Sequence, residues 1–328
     1  MRKNSIRIAL LLVTALATGA VVDTAVNATA QASRRPAGPA RSPASGAVRL
    51  QVQNGLFHVM DDVVLTVSRL DGWMIPQPGQ TVSLDNKKSF ILQINSGETY
   101  LKATDLTGLL NEYLLPHAKT SIKDITVTFE GNQVAVKGDL RKAVPIPFEG
   151  KGTVSVADDS DIRVHFTDLK AAGVLKKGLL DFLGIKLSSV AQPQKQSRFY
   201  IEGDDIILPI TALFPPPRIT GKLTAVRIEG DSLVQVFGPP NATIAPPPTS
   251  AKNYVYFRGG RMKFGKLTMD DVDLELVDKD PSNAFDFSLD HYALQLEAGY
   301  SKALPSGGLL AVMPDYSAVA KAAAPKTN

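Results

Sequence analysis

The sequence predicts an α+β fold that is mostly antiparallel β, and three observations carry that expectation. From Val48 onward apolar and polar residues alternate with a period of two, which sets one strand face on a core and the other on water. The alternating runs are separated by short Gly- and Asn-containing dipeptides that suit tight hairpins. Only two segments replace the two-residue period with helical spacing, so one or two amphipathic helices are expected against the sheet.

Taken in order, "VRLQVQNGLFHV" places Asn54-Gly55 between two alternating runs, and "TVSLDNKKSFILQI" places Asp85-Asn86-Lys87-Lys88 between two more. The first helix is expected over 104–115. Thr104 or Asp105 would cap it, Leu106, Leu109, Leu110, Tyr113 and Leu114 share its apolar face, and Pro116 ends it. "GTVSVADDSDIRVHF" reads as a hairpin around an acidic tip. The second helix is expected over 167–187, capped by Thr167 or Asp168, with Leu175, Leu179, Phe182 and Leu183 at helical spacing.

One phrase recurs three times: apolar, Glu, Gly, Asx, then apolar again, in "VTFEGNQVAV", "FYIEGDDIILPI" and "VRIEGDSLVQVF". Chemistry would need the carboxylates of Glu130, Glu202 and Glu229, whereas a turn needs only geometry. Gly131-Asn132, Gly203-Asp204 and Gly230-Asp231 stand where tight turns must be, because Gly takes positive φ without steric cost and Asn or Asp tolerates it. Gly259-Gly260, between "NYVYFR" and "RMKF", is expected to do the same. The glutamates are thus exposed strand ends. In the C-terminal part, Val272, Leu274 and Leu276 oppose Asp273 and Glu275, and Phe285, Phe287 and Leu289 oppose Asp286 and Asp290.

The expected organisation is a signal peptide over 1–32, an Arg/Pro/Ala linker over 33–47 and a main β-rich domain over 48–237. A Pro-rich linker or strap (238–252), a β unit packed on the main domain (253–303) and a flexible tail (304–328) follow. The leader has Arg2, Lys3 and Arg7 ahead of an apolar run of roughly 15 residues, shorter than the ~20 that span a bilayer. Small residues then point to cleavage after Ala30 or Ala32, and so to export into a periplasmic or extracellular space.

Charge and composition narrow the function classes. The net charge is +4, but residues 1–32 carry three cations against Asp23 and residues 33–47 add three arginines, so the remainder is −1. No basic face remains for nucleic acid, while the arginines of the linker allow weak peripheral contact with an anionic membrane surface. The chain has no cysteine, which rules out disulfides and a cysteine nucleophile. His58, His117, His165 and His291 are scattered, so no metal is expected, and no nucleophile elbow or phosphate loop is present, so no cofactor is expected. "ADDSD" lacks the Gly and distal Glu of a calcium loop.

The segments "LKATDLTGLLNEYLLPHAKTSIKDITVTFEGNQVAVKGDL", "VPIPFEGKGTVSV", "LKKGLLDFLGIKLSSV" and "LPITALFPPPRITGKL" resemble the tubular lipid-binding superfamily of bactericidal/permeability-increasing-type domains. They are also similar to the periplasmic phospholipid-binding proteins of mycobacterial envelope mannan synthesis. The resemblance covers under half of the chain. It implies a curled antiparallel sheet wrapped around the helices and an apolar groove for a phospholipid or other hydrophobic ligand, without catalysis. At about 0.8 kcal/mol per buried methylene, a chain of some sixteen carbons would gain on the order of 10 kcal/mol. The groove residues expected on this reading are Leu175, Leu179, Phe182, Leu183, Leu109 and Tyr113. Two other expectations stay open: a ligand-free structural or interaction protein, which an exposed strand edge would favour, and a hydrolase with dispersed carboxylates.

Overall fold

The structure is a computed structural model of the chain. It describes residues 42–118, 120–141, 143–157, 160–175, 198–239 and 249–323. The leader 1–32, most of the linker, residues 176–187 of the second expected helix and most of the Pro-rich stretch lie outside the described residues.

In chain order the strands are β1 (Val48–Met60), β2 (Val63–Pro76), β3 (Val82–Ser83), β4 (Phe90–Lys102), β5 (Ile122–Glu130), β6 (Gln133–Leu140), β7 (Ile146–Val156), β8 (Ile162–Ala171), β9 (Val174–Leu175), β10 (Tyr200–Glu202) and β11 (Asp205–Leu208). They continue as β12 (Arg218–Gly221), β13 (Leu223–Glu229), β14 (Ser232–Phe237), β15 (Tyr254–Arg258), β16 (Arg261–Phe264), β17 (Leu267–Asp270), β18 (Asp273–Asp278), β19 (Phe285–Ser288), β20 (Tyr300–Ala303) and β21 (Leu309–Met313). The large sheet runs β13-β14-β4-β2-β1-β15-β18-β21-β20, with β12 also on β4 and β19 also on β1. A second sheet runs β10-β11-β8-β7-β6-β5 with β9 on β8, and a small one runs β17-β16-β3. Among the described residues the sheets are open and mostly antiparallel, and four pairings are parallel: β1–β19, β4–β12, β3–β16 and β18–β21.

The first helical segment begins as α1 (Ala103–Gly108), widens into a π-helical turn over Leu109–Leu114 and ends in a 3-10 turn at Leu115–His117. Neither Thr104 nor Asp105 caps it. The N-cap is Lys102, without a side-chain bond, and Asp105 instead accepts from the Val64 amide of β2 at 2.8 Å. Asn111 takes both backbone groups of Ile125, accepting at 2.9 Å and donating at 2.6 Å, where the β5–β6 ladder shifts register. Thr107 accepts from the Val127 amide at 2.9 Å. The polar face of this segment therefore ties β2 of the large sheet to β5 of the second one, satisfying strand groups that would otherwise lack partners. Its apolar residues Leu106, Leu109 and Leu114 are buried in the core.

The three repeated turns have a common form. Glu130 pairs with Gln133, Glu202 with Asp205 and Glu229 with Ser232, so two residues close each hairpin. Gly131, Gly203 and Gly230 have φ of 62°, 62° and 60°, whereas Asn132, Asp204 and Asp231 do not have positive φ. That is the type II′ pattern, which asks for glycine only at the first central position. A Cβ on Gly131 would meet nothing within 4 Å, so Gly131→Ala carries backbone strain alone. It is expected to cost about 1–3 kcal/mol in a urea titration, because the first central position of a type II′ turn lies in a region that L-residues rarely adopt.

Several expectations are corrected. Asn54-Gly55 is not a turn: β1 passes straight through, with Asn54 at φ 52°, and its neighbour changes there from β15 to β19. Gly259-Gly260 does not close a hairpin, because β15 belongs to the large sheet and β16 to the small one. A Cβ on Gly260 would stand 2.3 Å from the Ala47 carbonyl oxygen, so glycine is needed for close backbone approach. Asp85–Lys88 likewise connects two sheets. Residues 167–171 are not helical. They complete β8, with Leu169 and Ala171 inward and Asp168 and Lys170 outward, and Ala172-Gly173 turns the chain into β9.

The C-terminal expectations change as well. The β unit at 253–303 is continuous with the main domain, since β15 pairs with β1 and Arg41–Asn328 forms one compact unit. "HYALQL" forms a helix, Tyr292–Ala298, in which Gln295 is fully buried and bonds to Ser288, Asp286 and Pro314 backbone groups. The segment from Leu304 is not a free tail: β21 is the parallel neighbour of β18, with Ala311 and Met313 fully buried, and a helix follows at Tyr316–Ala323. Among the described residues no helix is long and apolar enough to cross a membrane.

Candidate functional site

The feature most suited to a ligand is an apolar cavity of about 140 Å³ against the large sheet. β1, β2 and β4 supply its floor, with Phe237 of β14 and Val255 and Phe257 of β15 extending it. Phe214-Pro215-Pro216-Pro217 and Ile219 close one side, and Phe287 and Leu289 another. Lining residues such as Val52, Leu70, Met74, Ile94 and Phe257 are buried, whereas Val59, Leu92, Ile219, Leu289 and the three prolines are half-buried and mark where it opens. A void of this size, walled mainly by aliphatic and aromatic groups, admits a benzene-sized molecule.

The strand pattern explains how three long strands all face one cavity. On β1 the lining residues are Leu50 and Val52, then Phe57, His58 and Val59, so the parity of the inward apolar set changes at Asn54-Gly55. On β2 it changes between Val67 and Leu70, where the ladder to β4 skips Ser68, and on β4 between Ile94 and Thr99, where it skips Asn95. One extra residue in a strand bends it and moves every later side chain to the other face. The three irregularities therefore keep the apolar set on one side while the sheet bends. β12 and β19, packed alongside β4 and β1, then bring the proline segment and Phe287 over the floor.

The polar members of the lining are few. Lys87 forms an ion pair with Asp290 at 2.6 Å. His58 Nε2 is 2.8 Å from Asp286 Oδ1 and its Nδ1 is 3.0 Å from the Asp61 carbonyl oxygen. Two acceptors around one imidazole favour the doubly protonated ring. Burial acts to lower the His58 pKa, but the Asp286 and Asp61 bonds and charges outweigh it and hold the value above the ordinary one. Burial likewise acts to raise Asp286, while bonds from His58 and Ser317 hold it below the usual carboxylate range. Thr99 and Gln235 complete the polar set.

The expected groove residues do not meet at this cavity. Leu109 is fully buried in the core, Tyr113 lies under the Arg198 guanidinium 4.2 Å from the ring centre, and Leu175 is 63% exposed on β9. None of the three lines the cavity. Leu179, Phe182 and Leu183 lie outside the described residues. Of the repeated glutamates, Glu130 pairs with Lys151, Glu202 with Arg163 and Glu229 with Arg227, each more or less half exposed at a strand end. Among the described residues no group of three or more His, Asp or Glu could hold a metal ion. Sequence reasoning missed the lining because period-two spacing marks inward residues without saying which of them leave space between them. The prolines of "FPPPR" are a signal that could have found one wall, since such a segment cannot extend a central strand. Comparison with protein-family models, with curated proteins and with solved structures finds no match for this chain.

Proposed function

We propose that this chain is an exported, non-enzymatic protein that binds a lipid or another hydrophobic ligand in the cavity between the large sheet and the Phe214–Pro217 segment. The observation that carries the reading is the cavity itself: an apolar void with a half-buried rim, set against the large sheet. The tubular lipid-binding resemblance points the same way, although a sheet curled around helices is not needed when strands and prolines form the walls. About six carbons would fill the void and contribute roughly 5 kcal/mol before entropy costs. The ligand thus places the end of a chain inside, and its remainder leaves past Leu92 and Leu289.

The test is a titration of the purified full-length chain with N-phenyl-1-naphthylamine, followed by displacement with phospholipid vesicles and by native mass spectrometry. Native protein is expected to enhance the probe's emission and to yield it to lipid. Leu92→Glu and Ile219→Glu, at positions that stand opposite each other on β4 and β12, should each weaken probe binding at least about tenfold, because a carboxylate in an apolar void must be desolvated or neutralised. If both variants keep their urea midpoints and bind the probe as native protein does, the cavity is not the site.

A second reading has one observation behind it. All four residues of β20, one edge strand of the large sheet, are exposed, and Tyr300 is 56% so. Such an edge is a template for strand pairing with another chain, and a clean apo mass with no lipid uptake would move the weight to this interaction role.

A further inference from the structure

We propose that the ligand carries a carbonyl oxygen, as an ester or a ketone, and that Thr99 and Gln235 hold that oxygen inside the cavity. This rests on the hydrophobic-ligand reading above and deepens it. Thr99 and Gln235 are 2% and 1% exposed, and both line the cavity. They stand directly opposite each other, on β4 and β14. Of the three buried side-chain polar atoms without a hydrogen-bond partner among the described residues, two are Thr99 Oγ1 and Gln235 Nε2. Buried polar groups in folded proteins are almost always paired, and an unpaired one costs stability that Val or Leu at the same place would not.

The chemistry of the two groups selects their complement. Gln235 Nε2 only donates, and the Thr99 hydroxyl rotates freely to donate as well. Opposed residues on adjacent strands have Cβ atoms roughly 5 Å apart, close enough for two donors to converge on one oxygen with two lone pairs. A carbonyl supplies that oxygen without charge. A carboxylate would need a cation to offset its burial, and the two cationic side chains of the lining, Lys87 and His58, already hold Asp290 and Asp286. A plain hydrocarbon would fill the void but leave both donors unpaired.

The probes are 2-octanone and octane, which differ by one carbonyl, with affinities measured by headspace partition over native protein and over Thr99→Val/Gln235→Leu. The ratio of ketone to alkane affinity is expected to fall at least about tenfold in the variant, while octane binds no more weakly than to native protein. In native protein the infrared carbonyl stretch of bound 2-octanone should lie below its position in hexane, and the variant should restore it. An unchanged ratio with a hexane-like stretch in native protein overturns the carbonyl proposal and leaves the cavity reading standing. If neither probe binds native protein, both fall. Should the double variant not fold, the stretch in native protein decides alone.

Discussion

Phe285→Ala is expected to lower the unfolding free energy by about 3–5 kcal/mol, read as a shift in urea midpoint at constant slope. Phe285 is fully buried, the largest of the side chains with essentially no exposure. It stands on β19 opposite Gly55 of β1, at the point where β1 exchanges one neighbour for another. Its ring lies 5.7 Å from that of Phe287, which in turn meets Phe57 edge-on at 5.8 Å. Truncation therefore removes the burial of one ring and part of an aromatic chain that fixes β19 over the cavity floor. The void it leaves adjoins Phe287, a cavity wall, so collapse around it would also loosen the site. Phe285→Leu keeps most of the volume and is expected to cost about 1–2 kcal/mol. If Phe285→Ala costs under 1 kcal/mol, β19 is not a structural wall and the cavity has been assigned to the wrong elements.

Much of the architecture was legible because period two is a direct consequence of strand geometry. Val272, Leu274 and Leu276 are buried, as the alternation requires. The same rule misled where polar residues sit inside a structure. Asp286 alternates with Phe285 and Phe287 and so was read as facing water, yet it is 7% exposed because His58, Ser317 and the C-terminal helix cover that face. Residues 167–171 were read as helical because the long segment also contains helical spacing. Pairing with β7 overrode that local tendency, a tertiary effect that no window of sequence contains.

The site was less legible than the fold. Asn54-Gly55 is the strongest hairpin dipeptide in the chain, but the flanking segments Val48–Gln53 and Gly55–Met60 continue as one strand along the same partner, β2. What the dipeptide does is change the inward parity of β1, and its real signature is the switch from Leu50 and Val52 to Phe57 and Val59. A cavity also depends on what fails to fill space across three strands and a proline segment distant in sequence. Thr99 and Gln235 gave no signal of their own, since a polar residue in a strand ordinarily faces water.

Asp286→Ala is expected to cost about 3–5 kcal/mol near pH 5.5, and less as the pH rises. The side chains of His58 and Asp286 are only 14% and 9% exposed, so removing the carboxylate leaves a buried imidazolium without its counter-charge. Asp286 also accepts from the Ser317 amide at 3.0 Å, and Tyr316 packs edge-on against His58 at 4.8 Å and stacks on His291 at 5.1 Å. This cluster anchors the C-terminal helix. The sign of the pH dependence follows from the two shifts. His58 is raised, so its contribution is complete below the ordinary histidine value of about 6.5 and is lost as pH rises through the higher folded value. Asp286 is lowered, so its contribution is complete above about 4 and is lost as pH falls through the lower folded value. The pair therefore stabilises most between about pH 4 and 6.5. The gap in unfolding free energy between native protein and Asp286→Ala should narrow from about pH 5.5 to about pH 8.5, because His58 in the variant loses its main acceptor and burial then favours the neutral ring. Amide exchange at 316–323 should quicken in the same variant. A gap that stays constant from about pH 5.5 to about pH 8.5 would mean that His58 is neutral in the folded state, and that the helix is held by Tyr316 packing rather than by charge.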